Sequence, residues 1–209
     1  MAQARAVTVV KLGGSHAFAP HLDDWLDALG ACGGRVVLVP GGGPFADAVR
    51  LAQARLAFDD GAAHHMALLA MEQFGCALAS LGRGMTLSRS LAAIRRALRA
   101  HLVPVWSPTA MVLAAAGIPA SWEVTSDSLA AWLAGRLRCP RLLLVKHVDA
   151  LPAVSCAGVQ ELAAAGIVDP AFAAFLGASG ADAYIVGPAD HAAAARAIRG
   201  GSAAGLRVA

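Results

Sequence analysis

A chain of 209 residues, 57% of them hydrophobic, can bury a substantial core as one domain or as two closely packed lobes. Its mean hydropathy of +0.59 does not make a membrane span: Pro104, Pro108 and Gly117 interrupt Val103–Ile118, Glu72 and Gln73 interrupt Leu68–Leu81, and no stretch reaches the roughly 20 apolar residues required. A net charge of +3, with Arg95, Arg96 and Arg99 as a solvated helix face lacking neighbouring aromatics, argues against a nucleic-acid surface.

The N-terminal residues run directly into an apolar strand over 6–12 with no signal-peptide pattern, so a cytoplasmic protein is expected. Pro20 sits near the first turn of a helix over 20–29. Strand 35–39 follows, bounded by glycines, and Pro44 opens a helix over 44–56. A long apolar helix over 64–80 is expected to lie inside the molecule. Helix 91–100 is amphipathic, and a short strand over 103–106 is closed by Pro108. Helix 126–137 has Thr125 or Ser126 as its cap. Strand 141–146, a loop over 152–158, helix 169–176, strand 183–186, helix 189–199 and a last short strand over 206–208 complete the chain. Continuous apolar strands alternating with helices argue for an α/β fold: a three-layer α/β/α sandwich on a mainly parallel sheet. No linker separates domains, so 1–209 reads as one domain. Four scattered cysteines (Cys32, Cys76, Cys139, Cys156) form neither a zinc framework nor a disulfide scaffold.

Ligands of such a sheet bind beyond the carboxyl ends of its strands, and three segments fall there. In V-V-K-L-G-G-S (Val9–Ser15), Lys11 lies near a strand end, and Gly13 and Gly14 free the backbone to present bare N–H groups to phosphate oxygens. It is neither a Walker A loop nor a dinucleotide fingerprint, and a plain strand-to-helix turn is the alternative. In V-P-G-G-G-P-F-A-D-A-V-R (Val39–Arg50), the run Gly41, Gly42, Gly43 invites close approach of a ligand, ahead of a helix N-terminus suited to anions. Asp47 and Arg50, three apart on that helix, are either a surface ion pair or substrate contacts. In I-P-A-S-W-E-V-T-S-D-S-L-A (Ile118–Ala130), Thr125, Ser126, Asp127 and Ser128 bring hydroxyls and a carboxylate to a helix start. A capping box explains them, and so does a carboxylate that orients ammonium groups or helps hold Mg²⁺.

The lysines stand out. Of 17 basic residues only Lys11 and Lys146 are lysine. A compact ammonium follows a single phosphate oxygen in a way that a guanidinium fork does not, which makes both candidates for chemistry.

With these motifs, L-L-L-V-K-H-V-D-A-L (Leu142–Leu151) and the closing A-Y-I-V-G-P-A-D-H (Ala183–His191), the chain resembles the amino acid kinase family over nearly its whole length. The resemblance implies a phosphotransferase that uses ATP and Mg²⁺ on a small-molecule acceptor carrying a phosphate or carboxylate, and a homo-oligomer without nucleic-acid or membrane partners. Residues 1–125 would form the acceptor lobe and 126–209 the nucleotide lobe. Lys11, Asp127 and Lys146 would be catalytic, with Asp127 organising the lysines. Gly13, Gly14, Ser15, Ser126 and Asp149 would bind nucleotide phosphates. Gly41, Gly42, Gly43, Asp47, Arg50, Trp122 and Glu123 would meet the acceptor, and no side chain is assigned as a metal ligand.

Two departures from the family pattern matter: no lysine follows Lys146, and Lys146-His147 replaces the usual Thr-Asp, so Lys146 would supply the second cation from a different position. Within the family, His64–Gly75 and Ser121–Ser128 are similar to the branch that phosphorylates an aminomethyl-furan-methyl phosphate in methanofuran biosynthesis and to its bacterial relatives. For such an acceptor Arg50 would take the phosphate, Asp47 or Glu123 the ammonium, and Trp122 the ring unless it packs in the core. His64 and His65 are pocket or core residues. Another acceptor, such as a nucleoside monophosphate or an amino acid carboxylate, and a non-catalytic nucleotide-binding or metal-storage module are the alternatives.

Overall fold

The structure, a computed structural model, describes residues 6–147, 156–200 and 202–209. Strand β1 (Thr8–Leu12) leads through a 3₁₀ turn (Gly14–His16) to α1 (Leu22–Gly30), then β2 (Val36–Pro40), α2 (Gly43–Leu56) and α3 (Asp60–Leu81). Next come β3 (Met85–Ser88), α4 (Leu91–Arg99), β4 (Val103–Trp106), α5 (Thr109–Leu113), α6 (Ser126–Leu137) and β5 (Arg141–Val145). Beyond it lie β6 (Cys156–Ala157), α7 (Val159–Ala164), α8 (Phe172–Ser179), β7 (Asp182–Val186), α9 (His191–Gly200) and β8 (Leu206–Val208).

The described strands form one sheet in the order β3-β4-β2-β1-β5-β7-β8-β6, parallel except where β7 meets β8. Helices cover both faces, as expected for a three-layer α/β/α sandwich. All residues of β1 and β2 are buried because alternate side chains feed opposite layers. Val9, Val37 and Leu144 pack under α6, while Val10, Leu38 and Val145 pack under α1 and α9. That two-sided burial is why these strands read as unbroken apolar runs.

Four elements escape a reading of the sequence, among them strand β6, two residues within the expected loop over 152–158 that pair with β8. Strand β3 lies at the sheet edge with only Ser88 buried, so it lacks a core strand's apolar signature. Helices α5 and α7 have five and six residues, too few to show a helical period. Helix α3 is not the interior helix expected: Leu68, Met71, Phe74 and Leu78 face the core, whereas Met66 and Leu69 are exposed.

The glycine turns after β1 and β2 pack directly on one another. A Cβ at Gly14 would stand 2.1 Å from the backbone nitrogen of Gly43, and one at Gly41 would stand 2.3 Å from the nitrogen of Gly14. Gly43 also has φ of 56°, the left-handed region that disfavours side chains. The Gly14→Ala substitution is therefore expected to lower the unfolding free energy by about 1–3 kcal/mol, the range for overpacking against groups that cannot yield. Urea denaturation checks this, and an unchanged midpoint would show that the turns can separate.

Candidate functional site: two lysines on one carboxylate

The strand order reverses between β1 and β5. The chain moves from β1 to β2 and β4 in one direction, and from β5 to β7 in the other. A crevice at the carboxyl ends of such strands is where open α/β sheets take ligands. Lys11 is the penultimate residue of β1, in register with Val39 of β2 and Leu144 of β5. Lys146 follows β5 directly, its amide donating to the Val186 carbonyl at 3.0 Å. Parallel register thus brings two residues 135 positions apart to one edge.

Asp127 joins them. It lies in the first turn of α6, buried, where helix N-terminal amides also favour a negative charge. Lys146 Nζ donates to its Oδ2 at 2.5 Å, and Lys11 Nζ stands 2.9 Å from Oδ1. Burial alone would raise the Asp127 pKa, but the ammonium groups of Lys11 and Lys146 outweigh it and hold the carboxyl below its ordinary value. Lys146 is pushed down to about 8, chiefly by burial and then by Lys11, against the pull of Asp127. His16 is pushed down to about 4 by burial, His147 and Lys11, so it stays neutral beside the cluster.

The N-terminus of α6 is held by a residue that sequence reasoning gave no role. The Asp169 carboxylate accepts from the Thr125 amide (3.0 Å), the Thr125 hydroxyl (2.7 Å), the Ser128 amide (3.0 Å) and the Ser128 hydroxyl. Neither Thr125 nor Ser126 caps the helix with its own side chain. An aspartate before Pro170 looks like the start of its own helix. That it fixes a helix start more than 40 residues earlier has no local signal.

The glycine turns supply bare amides, but not at every expected position. The Gly13 N–H is directed to the Val145 carbonyl at 3.4 Å, extending the β1–β5 ladder, so it is not free for a ligand. Gly41 is likewise engaged, donating to the Leu12 carbonyl at 2.8 Å. The backbone N–H groups of Gly14, Ser15, Gly42 and Gly43 have no partner among the described residues. Four unpaired donors at two adjoining turns form a concavity suited to an anion.

Beside these amides opens a cavity of about 400 Å³, with Gly14, Ser15, Gly42, Gly43 and Ser126 in its wall. It adjoins the lysine–aspartate cluster without including those three side chains. Asp47, Arg50 and Trp122 line it as expected, with Arg50 Nη1 3.2 Å from Asp47 Oδ1 and its guanidinium 4.3 Å above the centre of the Trp122 ring. Trp122 is half-buried in the wall, not a core residue, and Arg50 already covers one of its faces. Its Nε1 donates to Gln53 at 2.7 Å, and Gln53 in turn donates to Asp60 at 2.9 Å. Asp60 and His64 also line the cavity, while His65 is exposed. Glu123, expected to meet the acceptor, is exposed and outside this wall, because the chain turns Trp122 and Val124 inward and the residue between them outward.

The model of the Amino acid kinase family matches residues 6–153, more than half of the chain. The chain belongs to the amino acid kinase family. It is 26% identical over 145 residues to the [5-(aminomethyl)furan-3-yl]methyl phosphate kinase of Methanocaldococcus jannaschii, covering 68% of this chain and 67% of that protein. Among solved structures, a uridylate kinase from Archaeoglobus fulgidus is similar at a TM-score of 0.71 and 16% identity, covering 97% of this chain and all of that one. An isopentenyl phosphate kinase is similar at a TM-score of 0.61 and 18% identity, again over 97% of this chain and 100% of that one. Both likenesses confirm the amino acid kinase fold.

Family membership makes the chain a phosphotransferase, and the site's donors fit a phosphate chain: unpaired amides and two ammonium groups. A side-chain Mg²⁺ site does not follow from these residues. Both Asp127 oxygens face lysines, and the Asp169 carboxylate is taken up by α6. A divalent ion would therefore have to be held by the phosphates of a bound nucleotide rather than by Asp127 or Asp169. Asp149 lies outside the described residues. Among the described residues, no helix is long and apolar enough to cross a membrane.

Lys146 holds its proton below about 8 and loses it above. If its charge is used, kcat/KM for phosphotransfer, which reports ionisations of the free enzyme, is expected to fall about tenfold per pH unit above that value. Lys146→Arg, whose guanidinium stays charged, should move the fall to higher pH. A limb unmoved by the substitution would remove Lys146 from the chemistry. For stability the sign is opposite: between about 8 and 10.5 the unfolded chain keeps a proton that the folded chain has lost, so this group's contribution rises with pH.

Proposed function

We propose that this chain moves the γ-phosphoryl group of ATP onto the phosphate of a small monoester, and that its acceptor is an aminomethyl-furan-methyl phosphate, converted to the diphosphate. The observation that carries the reading is the placement of both lysines on Asp127, at the edge where two bare-amide turns meet the cavity. Such transfer passes through a loose transition state that needs alignment and charge stabilisation more than covalent help. An acceptor phosphate is already ionised at neutral pH and needs no base. Lys11 and the Gly14 and Ser15 amides would hold the transferring group, and Lys146 would offset charge developing on the leaving side. When bound, Mg²⁺ supplies further charge neutralisation to the nucleotide phosphates.

The cavity wall supports the choice of acceptor. The Gly42 and Gly43 amides and the Arg50 guanidinium offer donors to a phosphate, and Asp47 and Asp60 offer carboxylates to an ammonium on the same molecule. Asp60, in the wall where Glu123 is not, would take the ammonium in its place. The relative from Methanocaldococcus jannaschii is named for a phosphate of this kind, and a cavity of about 400 Å³ suits a single small ring with two charged arms.

A coupled ADP-release assay with Mg²⁺ and a panel of acceptors tests this. The expected result is the highest kcat/KM with the aminomethyl-furan-methyl phosphate, above uridine monophosphate, isopentenyl phosphate and amino acid carboxylates. Preference for another acceptor would replace the substrate, and absence of ADP release with all of them would replace the kinase reading. With the best acceptor, Lys146→Ala should lower kcat by about 10²–10³, the loss for removing one transition-state donor. Near-normal turnover in that variant would assign the second charge elsewhere.

A further inference from the structure

A second group of chemistry-bearing side chains stands apart from the cavity and the lysine pair, where α1 and α9 meet. His21 precedes α1, Asp24 lies in its first turn, and His191 is the first residue of α9. Their ligand atoms all lie within 4.8 Å of one another. His21 Nδ1 is 3.5 Å from Asp24 Oδ2, and His191 Nε2 is 3.8 Å from the same oxygen.

These separations are poor for hydrogen bonds. The first is at the outer limit of contact and the second beyond it. They are close to what a metal requires. Donors about 2.0–2.1 Å from a tetrahedral Zn²⁺ are about 3.3 Å from each other, so small side-chain adjustments bring all three onto one ion. Two imidazoles and one carboxylate make a donor set for zinc and neighbouring 3d cations, whereas Mg²⁺ prefers oxygen ligands. The side chains are 40%, 54% and 27% exposed for His21, Asp24 and His191, leaving a fourth position open to water.

The surroundings hold this arrangement in place. Trp25 is fully buried behind it, its Nε1 donating to the Pro188 carbonyl at 2.7 Å and its ring lying edge-on to His191. The Asp190 carboxylate accepts from the Gly187 amide at 2.8 Å, fixing the turn that delivers His191. The His21 and His191 rings stack at 27° with centroids 6.3 Å apart. Two helix N-termini meet here, a setting that disfavours a bare cation. The carboxylate and two neutral imidazole donors are what would make an ion acceptable.

We propose that His21, Asp24 and His191 form a surface site for one divalent transition-metal cation of the zinc class, joining α1 to α9. Helix α1 follows β1 and α9 follows β7, the two neighbours of β5 in the sheet. A bound ion would therefore tie together the connections on either side of the strand that ends at Lys146. The site does not depend on the proposed acceptor or on turnover.

Titration of the chelator-treated full chain with Zn²⁺ by calorimetry, without nucleotide, tests it. The expected result is one equivalent taken up with a rise in melting temperature, and a four-coordinate visible spectrum when Co²⁺ is used instead. His191→Ala and Asp24→Asn should each weaken uptake by more than the roughly 10–100-fold that loss of an outer-shell partner costs, while leaving the metal-free urea midpoint at the wild-type value. Uptake undiminished in both variants, or no saturable uptake by the wild-type chain, would overturn the site. A variant that loses its metal-free midpoint is replaced by His21→Gln, for which the same loss of zinc uptake is expected, and retained uptake there counts against the proposal.

Discussion

Two ammonium groups share one buried carboxylate in a place with little water, and among the described residues the Asp169 carboxylate, engaged by α6, also helps to offset their charge. Lys11, Lys146 and Asp127 are exposed by only 7%, 14% and 4% of their side chains. Buried charges so placed are costly unless they are closely paired. Two responses are visible in the fold. His16 stays neutral and adds no further positive charge, and Lys146 surrenders its proton far more readily than an ordinary lysine. A third response is a bound anion, and the unpaired amides of the adjoining turns are positioned to hold one. A polyanionic ligand is therefore electrostatically suited to this place, which is what the proposed phosphotransfer would require.

The rest of the architecture keeps that arrangement from collapsing. Lys11 and Lys146 are fixed by parallel strands whose side chains are buried on both faces, so neither strand can slip without exposing apolar surface. Asp127 is fixed through α6, and α6 through four contacts to Asp169, whose negative charge also supports Lys146. The glycine turns are locked by backbone-to-backbone packing. Each polar group at the cluster therefore has a positional constraint independent of the ligand, as a preorganised electrostatic site requires.

Much of this was legible in the sequence because its causes are local. Two lysines in a chain otherwise furnished with arginine stand out as candidate charges, and both meet at Asp127. The apolar runs of β1, β2 and β5, each followed at once by glycine or lysine, mark the edge where the candidate site sits. What was not legible depends on contacts distant in the chain. Asp169 acts on residues 41 and 44 positions away, and nothing beside Pro170 announces it. Gly14, Gly41 and Gly43 make room for each other as well as for any ligand, and Gly13 and Gly41 spend their amides on the sheet, which a glycine run alone does not reveal. Glu123 lies outside the cavity wall because alternation within a short turn faces it outward. Asp60, which lines the cavity, lies in the first turn of α3, ahead of where the apolar pattern of that helix begins.

Because the chain holds only two lysines, selective ¹³C labelling at lysine Cε gives one NMR signal for each site ammonium. Both signals should shift together when Mg²⁺ and a non-hydrolysable ATP analogue are added to the wild-type protein. If either signal stays in place at saturating nucleotide, the two charges do not serve one phosphate chain, and the account of the site is wrong.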